Sequence, residues 1–378
     1  MKRKLFREEH DIFRDAFRKF LGKEIAPHYE QWEKDRIVPR EIYKKAGEQG
    51  FLCPWVPEAY GGAGADWLYS VVILEEIVDF AGVMLNLHSD VCAPYIATFG
   101  NEEQKKRWLP GCCTGEKILA VAMTEPGAGS DLQAIRTTAV KKGDKYIVNG
   151  SKTFISNGFL NDLVITAVKT DANAKGWQGM SLIVIEDGTP GYKKARKLDK
   201  IGLHSQDTAE LAFEDCEVPA ANLLGKEGAG FMYLMEKLQQ ERLVCSIGAV
   251  AGMWKVLDLT KKYLNERTAF GRTLSKFQHI RFKMAEMYTE ASLAQTFLDR
   301  LIEEHINKQD VVTETCMAKY WTTETLKHIV DDCLQFYGGY GYMEEYPIAR
   351  WYRDCRVNTI YAGTTEIMKE LISRRIPI

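Results

Sequence analysis

The ten residues 122–131, AMTEPGAGSD, follow the apolar, strand-like run ILAV and indicate a loop. Pro126, Gly127 and Gly129 exclude a helix here, and glycine tolerates the positive φ that a tight loop needs. Successive backbone N–H groups in such a loop point into one concavity, which suits a phosphate or an electron-rich ring edge. An ordinary surface turn is the alternative for a Pro-Gly-x-Gly sequence taken alone.

The hydrophobic period changes across this loop. Before it, apolar side chains recur at helical spacing over residues 3–49, 66–80 and 83–99, which predicts an N-terminal helical domain at 1–118. After it come short β-rich runs bounded by turn residues: KILAVAM, KYIVNG, DLVITAV, MSLIVIE and TAELAFEDCEVP. These runs predict a middle β-sandwich or barrel-like domain at 119–227.

Helical spacing returns after Gly228 in four further segments: 231–264, 277–307, 310–338 and 364–374. They predict a C-terminal four-helix bundle at 228–378. The predicted fold class is therefore α+β multidomain, with two helical domains flanking a β domain.

Composition excludes several classes of function. The net charge of −2 with interspersed acids and bases leaves no electrostatic footprint for nucleic acid. No G-x-G-x-x-G follows a strand, which argues against a Rossmann dinucleotide site, and no metal site is predicted. Nine cysteines without a C-x-x-C pair indicate free thiols in a reducing compartment. With a charged N-terminus and no apolar run expected to span a membrane, we predict a cytoplasmic protein.

Glu241 falls on the apolar face of a predicted helix. It lies three residues after Leu238 and four before Cys245, so its side chain points from the same face. Desolvation there would raise the pKa of the carboxyl toward the range of a general base near neutral pH. The alternative is a solvated Glu241 paired with Lys237 one turn earlier.

The nonapeptide MTEPGAGSD is followed at residues 149–158 by NGSKTFISNG. Together these segments closely resemble the flavin-binding signature of the acyl-CoA dehydrogenase family, and the resemblance runs from the first helix to the C-terminus. It implies FAD as cofactor and an acyl-CoA thioester as substrate. The implied reaction removes the α-proton and transfers the β-hydrogen to flavin as a hydride, giving the 2,3-enoyl-CoA.

The resemblance favours Glu241 as the catalytic base. Most family members carry the base in a Tyr-Glu-Gly-Thr motif near the C-terminus, where this sequence reads YAGT at 361–364. The long-chain and isovaleryl branches use instead the Glu before the Arg of a Gln-Glu-Arg-Leu or Leu-Glu-Arg-Leu segment, and this sequence reads QERL at 240–243. This sequence therefore lacks the acid at position 362 and has one at Glu241, which is the pattern of the long-chain and isovaleryl branches.

The same resemblance implies binding residues, motif by motif. Ser130, Arg242, Ala362 and Gly363 would bind substrate, the backbone N–H of Ala362 holding the thioester oxygen. For Arg242, a salt bridge inside the bundle is the alternative. The residues implied for FAD are Met123, Thr124, Gly129, Ser130, Phe154, Ser156, Arg267, Phe270, Gln278, Gln335, Gly338, Gly339, Thr364 and Glu366. Those from Arg267 to Gly339 would reach the FAD of a neighbouring subunit, which implies an oligomer, a homotetramer built as a dimer of dimers in this family.

Asp90, in the segment LNLHSDVC, is a candidate second base. It would allow a 1,4-elimination on a cyclic acyl group, as in an alicyclic acyl-CoA dehydrogenase of the cyclohexane or cyclohexene carboxyl-CoA type. A buried acid capped by His88 or by a backbone group is the alternative.

The remaining expectations concern partners and relatives of the reaction. An electron-transfer flavoprotein is the expected electron acceptor. An acyl-CoA oxidase-like enzyme and a non-catalytic flavoprotein are weaker alternatives, and a nucleic-acid-associated flavoprotein would need a basic region that this chain lacks.

Overall fold

The computed structural model describes residues 3–171, 173–174 and 176–376. In chain order the helices are α1 (Glu8–Phe20), α2 (Tyr29–Asp35), α3 (Arg40–Glu48), α4 (Leu68–Glu76), α5 (Ala93–Phe99), α6 (Glu102–Thr114), α7 (Gly230–Glu266), α8 (Gln278–Ile306), α9 (Val312–Tyr337), α10 (Pro347–Asp354) and α11 (Thr365–Ser373). The strands are β1 (Leu119–Ala122), β2 (Thr138–Lys142), β3 (Lys145–Ser156), β4 (Leu163–Lys169), β5 (Met180–Glu186), β6 (Tyr192–Lys197), β7 (Thr208–Pro219), β8 (Leu223–Leu224), β9 (Thr268–Ala269) and β10 (Arg272–Thr273). This order confirms the predicted helical, β and helical architecture. Because β1 begins at Leu119 and α7 at Gly230, we keep 118/119 and 227/228 as proposed domain boundaries.

The two predicted helical segments 66–80 and 83–99 are interrupted in the structure. After α4 the chain continues as a 3₁₀ turn over Ile77–Phe80, and a π-helical turn over Leu87–Cys92 precedes α5. Pro94 has no N–H for the carbonyl of Asp90 four residues earlier, and that carbonyl accepts instead from Gln240 Nε2 at 2.8 Å. The irregular turn therefore joins the N-terminal helices to α7.

Strands β1 to β8 of the middle domain form one hydrogen-bonded sheet. Its order is β6-β7-β3-β2-β4-β5-β8, and β1 pairs with β4 in parallel. Its two halves are joined at β2 and β4 through a single parallel pair, Thr138 with Lys169. A register shift in the pairing of β3 with β7 lies between Lys152 and Ile155. This irregularity places Phe154 at φ +60°, so the strand turns its side chain away from the regular alternation.

The C-terminal domain packs α7, α8 and α9 around a core that includes Ile247, Val250, Leu326 and Ile329, and α11 packs against α9. By length and composition α7 could cross a membrane, so the expectation that no apolar run is long enough was wrong. Of its most apolar window, 61% is buried inside the protein, as in the core helix of a helical bundle. The helix α7 has apolar side chains all around it because it packs against other elements on several sides.

One hydrophobic core is shared by all three domains. It contains Cys92 and Tyr95 beside the irregular turn, Ile165 and Leu182 from the sheet, and Leu234 from α7. The shared core fixes the end of β1, the π turn and α7 against one another, and all three contribute residues to the wall of one cavity.

Candidate active site

A cavity of about 270 Å³ lies between the three domains. Its wall is formed by the end of α4, the two irregular turns, the segment after β1, the end of β3, one face of α7, and the chain from α10 to Ala362. The wall is mostly apolar and carries three carboxyl groups: Asp79, Glu241 and Asp354. A largely apolar concavity with a few polar groups is the usual form of a small-molecule site.

Glu241 is buried on the α7 face of this wall, with 6% of its surface exposed. The hydroxyl of Tyr95 donates to Glu241 Oε1 at 2.7 Å. Burial raises the pKa of the Glu241 carboxyl to about 7, although the Tyr95 hydroxyl and the charge of Arg242 act in the opposite direction. Lys237 pairs with Glu236 at 3.2 Å, so it does not hold Glu241 at the surface. The predicted burial of this carboxyl is confirmed.

The other two wall carboxyls are occupied by fixed partners. Asp354 Oδ1 accepts from the backbone N–H of Leu203 at 2.6 Å, and burial raises the pKa of Asp354 to about 6. Asp79 forms an ion pair with Lys255 at 2.5 Å near the surface. Among the wall carboxyls of the described chain, Glu241 is the one held neither by a cation nor by a backbone amide, and it is therefore the group best placed to exchange a proton.

A buried ion pair supports the loop after β1. Lys152 is fully buried and donates to Glu125 Oε1 at 2.8 Å and to the carbonyl of Met123 at 3.0 Å. Burial opposes ionisation of Glu125, but the Lys152 ammonium keeps the pKa of this carboxyl below its ordinary value. Burial lowers the pKa of Lys152 to about 8, against the attraction of Glu125. The pair fixes the backbone at Met123 and Thr124, both of which line the cavity.

The glycines of this loop differ from the expectation. Neither Gly127 nor Gly129 has a positive φ. A Cβ at either position would meet no other atom within 4 Å, so these glycines leave space beside the loop instead of supplying a left-handed turn. Gly129 and Ser130 do not line the cavity, although both were predicted to bind cofactor.

Phe154 and Ser156 lie on the cavity wall at the end of β3, beside the loop that follows β1. Phe154 is 68% exposed, an unusual state for a phenylalanine, and its ring is free to stack on a planar ligand. Thr153 donates its backbone N–H to the carbonyl of Thr124 at 2.9 Å, so the loop and the end of β3 form one rigid surface. An exposed aromatic ring beside loop positions with open space fits an aromatic cofactor such as a flavin.

Ala362 reaches the same wall from the C-terminal side. Ala362 and Gly363 have φ values of +52° and +94°, which define a tight left-handed turn. The buried Lys319 donates to the carbonyl of Gly363 at 2.6 Å and holds this turn against α9. Arg242 is 5% exposed, its Nη1 lies 3.4 Å from Cys316 Sγ, and it does not line the cavity.

Asp90 is placed behind the cavity, outside the residues of its wall. Its Oδ1 accepts from Trp67 Nε1 at 3.2 Å, and burial raises its pKa to about 6. The alternative that His88 caps Asp90 was wrong, because His88 Nδ1 accepts from the backbone N–H of Leu119 at 3.1 Å and Nε2 bonds the carbonyl of Cys112. Asp90 Oδ2 is buried without a hydrogen-bond partner among the described residues, but Asp90 lies off the cavity wall, so a second base at this position stays a prediction.

The residues predicted to reach a neighbouring subunit lie together at one end of the bundle. The β9–β10 hairpin carries Phe270 at its tip with 94% of its surface exposed. The Arg267 guanidinium lies 5.2 Å from the ring centre of Tyr340, which joins the hairpin to the turn after α9. This end of the bundle also carries Gln278, Gln335, Gly338 and Gly339. An ion pair of Lys283 with Asp332 brings the start of α8 level with the end of α9.

Thr364 and Glu366 lie at the start of α11, beside the turn that contains Ala362. The Thr364 hydroxyl accepts from the backbone N–H of Ile367 at 3.3 Å and caps the helix. The pKa of Glu366 is lowered by its backbone N–H and by the Thr364 hydroxyl. Neither residue lines the cavity, and the described residues contain no cluster of three or more potential metal ligands.

Four structurally important side chains were missed by sequence reasoning: Tyr95, Lys152, Lys319 and Asp354. Lys152 lies inside the quoted NGSKTFISNG segment, where a lysine between strand residues was a usable signal. Tyr95 gave no local signal, since it stands 146 positions from Glu241 and sits in an apolar helix.

Comparison with known proteins agrees with this fold and site. The family models of the acyl-CoA dehydrogenase N-terminal, middle and C-terminal domains match residues 7–116, 120–216 and 228–376. A long-chain specific acyl-CoA dehydrogenase from mitochondria of Sus scrofa is 48% identical over 99% of this chain and 88% of its own. The crystal structure of an acyl-CoA dehydrogenase from Geobacillus kaustophilus is 57% identical, with a TM-score of 0.99 and full coverage of both chains.

A third relative is an acyl-CoA dehydrogenase from Bacillus anthracis solved in complex with FAD, 32% identical with a TM-score of 0.90 over 97% of this chain and 66% of that one. Fold and site together define an oxidoreductase that acts on a CH–CH bond. The chain belongs to the acyl-CoA dehydrogenase family.

Proposed function

We propose that this protein is an FAD-dependent acyl-CoA dehydrogenase that oxidises a straight-chain acyl-CoA thioester to the 2,3-enoyl-CoA, with Glu241 as the base. The observation that carries the proposal is the position of Glu241, buried on the wall of the cavity that Thr124, Phe154 and Ser156 also line. Its pKa of about 7 suits a group that must take a proton near neutral pH.

The chain's own groups divide the work of proton abstraction. Glu241 takes the α-proton, and the Tyr95 hydroxyl holds the carboxylate in place through Oε1. The α-proton of a thioester is too weakly acidic for a carboxylate unless the carbonyl oxygen is polarised, and the backbone N–H of Ala362 supplies that donor. Lys319 keeps the turn of Ala362 and Gly363 fixed while charge develops on the thioester oxygen.

When bound, FAD supplies the acceptor for the β-hydrogen. Met123, Thr124, Phe154 and Ser156 would hold its ring system, because they form the cavity wall beside the loop. Gly129 and Ser130 would contact the cofactor or the CoA moiety at the mouth, and the buried pair of Lys152 and Glu125 would keep this surface rigid.

The proposal extends to an oligomer. Phe270 is almost fully exposed at the tip of a hairpin, and it shares its end of the bundle with Arg267, which can form a charge-assisted bond to a diphosphate. Residues Gln278, Gln335, Gly338 and Gly339 would complete a site for the FAD of a neighbouring subunit. Thr364 and Glu366 would contact the adenosine side of the FAD. Such sharing requires an oligomer, and a homotetramer arranged as a dimer of dimers is the form that the family resemblance implies.

We further propose an electron-transfer flavoprotein as the acceptor and the cytoplasm as the location. Nine cysteines without a disulfide among the described residues suit a reducing compartment. The long-chain specificity of the Sus scrofa relative supports a long acyl chain here. Arg242 lies outside the cavity wall and would stabilise the ionised form of the base through its charge.

The test is anaerobic mixing of the purified protein with saturated straight-chain, branched and alicyclic acyl-CoAs. We expect the flavin to be bleached by straight-chain thioesters, and mass spectrometry to show a product lighter by two hydrogens. Bleaching by no thioester, or preparation of a protein that binds no FAD, would contradict the proposal. Bleaching by alicyclic thioesters alone would show that the substrate is an alicyclic acyl-CoA and not a straight-chain one.

A further inference from the structure

The α7 face that lines the cavity contains a glycine. Glu241, Val244, Cys245 and Gly248 follow one another at helical spacing, and all four lie on the cavity wall. A Cβ added at Gly248 would meet no other atom within 4 Å. The absence of a side chain at this position therefore leaves room in the cavity itself.

The next glycine along α7 shows the contrast. A Cβ at Gly252 would lie 2.9 Å from the ring of Trp351 and 3.3 Å from Leu326. Gly252 is explained by close packing between α7 and its neighbours, whereas packing does not explain Gly248. Glycine is also unfavourable in the middle of a helix, so its presence in a cavity wall calls for a reason connected with the cavity's contents.

Gly248 lies two turns beyond the base. Seven residues at a rise of about 1.5 Å place its Cα about 10.5 Å along α7 from that of Glu241. The cavity extends along α7 in this direction, because its α7 residues run from Glu241 toward Gly248. The acyl carbons beyond the α-carbon would follow the same apolar wall, which also includes Leu74 and Ile77.

An extended hydrocarbon chain with C–C bonds of about 1.5 Å advances about 1.25 Å per carbon. About eight carbons therefore separate the α-carbon at Glu241 from the level of Gly248, which corresponds to a chain of about ten carbons. Shorter chains would end before this level, and longer ones would pass the open side of Gly248.

We infer that Gly248 is the residue that sets how long an acyl chain the site accepts, by leaving a passage along α7 beyond about the tenth carbon. This inference rests on the proposed function, since it assigns a specificity role within the same site. The class of ligand it admits is an unbranched saturated acyl thioester that extends beyond that carbon.

The experiment measures kcat/KM in wild type, Gly248→Ala, Gly248→Val and Gly248→Leu. The substrates are straight-chain acyl-CoAs of about four to about sixteen carbons, which lie on both sides of the calculated length of about ten carbons. We expect Gly248→Leu to lower kcat/KM for the longest chains by at least about 10-fold while the shortest chains keep the wild-type value, with the smaller side chains in between. FAD content and thermal stability are measured for each variant.

Gly22→Leu serves as the matched control. Gly22 also lies in a helical segment with no atom within 4 Å of an added Cβ, but it is exposed and outside the cavity wall. Its chain-length profile should equal that of wild type.

An unchanged profile in the Gly248 series would overturn the inference while leaving the proposed function in place. So would an equal loss at all chain lengths with loss of FAD, because Gly248 would then face the cofactor. If Gly248→Leu fails to fold, the alanine and valine variants decide the matter. A wild-type protein unreactive with every thioester would overturn the proposed function and the inference together.

Discussion

The hydrogen bond from Tyr95 to Glu241 gives a prediction that can be worked out in magnitude. In Tyr95→Phe the ring remains and the donor to Glu241 Oε1 is removed. Because this bond is made to the carboxylate, it favours the ionised form, and its loss must raise the pKa of Glu241. The direction is fixed by the chemistry of donor and acceptor.

A hydrogen bond to a charged group contributes about 1.5–3 kcal/mol, and one pKa unit corresponds to about 1.36 kcal/mol. The pKa of Glu241 should therefore rise from about 7 by about one to two units. At pH 7 the ionised fraction would fall from about one half to between about one tenth and one hundredth. Activity that needs the ionised base falls accordingly at neutral pH and recovers at high pH.

The assay is anaerobic stopped-flow reduction of the flavin by a saturated acyl-CoA across a pH series. Wild type should give a rate that rises through pH about 7, and Tyr95→Phe should give the same high-pH plateau with a midpoint displaced upward. Tyr43→Phe is the matched control, since Tyr43 is equally buried but donates to Asn157 at 3.2 Å. A midpoint that stays or falls in Tyr95→Phe would refute the assignment of Glu241 as the titrating base.

Three further predictions concern other parts of the site. Lys152→Met breaks the buried ion pair with Glu125, which should lower the free energy of unfolding by about 3–5 kcal/mol and weaken FAD binding in titrations of the apoprotein. An unchanged melting temperature and FAD affinity would show that Glu125 does not need its partner. Adding Ala362→Glu to Glu241→Gln should restore part of the flavin bleaching, because position 362 lies on the same cavity wall as Glu241, and no recovery would mean that this wall position does not reach the substrate. Asp90→Asn should leave kcat and the product's double-bond position unchanged on straight-chain substrates, since Asp90 is off the wall; a large loss of kcat would place it in the reaction.

Hydrophobic periodicity predicted the order of domains because each period reflects one packing geometry. The runs KILAVAM and MSLIVIE became β1 and β5, strands with most of their residues buried. By contrast β6, with the sequence YKKARK, was missed because it is an exposed edge strand whose charged side chains hide the β pattern.

The candidate site was only partly visible in the sequence. The spacing of Glu241 among apolar residues predicted its burial, since helical periodicity is a local property. Its partner Tyr95 comes from a different helix, and the pairing of the two depends on how the domains pack. The interruption of the predicted helix around Asp90 depends on Pro94 and on a contact with Gln240. The contact with Gln240 joins distant parts of the chain, so no local pattern encodes it.

The most direct test of the central claim is the single-turnover rate of flavin reduction by a long straight-chain acyl-CoA in Glu241→Gln beside wild type. Glu236→Gln is the control, because Glu236 is a half-exposed residue of the same helix and is paired with Lys237. The account predicts a loss of about 10²- to 10⁴-fold in Glu241→Gln, with FAD content and thioester binding retained. A rate within a few-fold of wild type, measured on the FAD-loaded variant, would contradict it and place the base elsewhere.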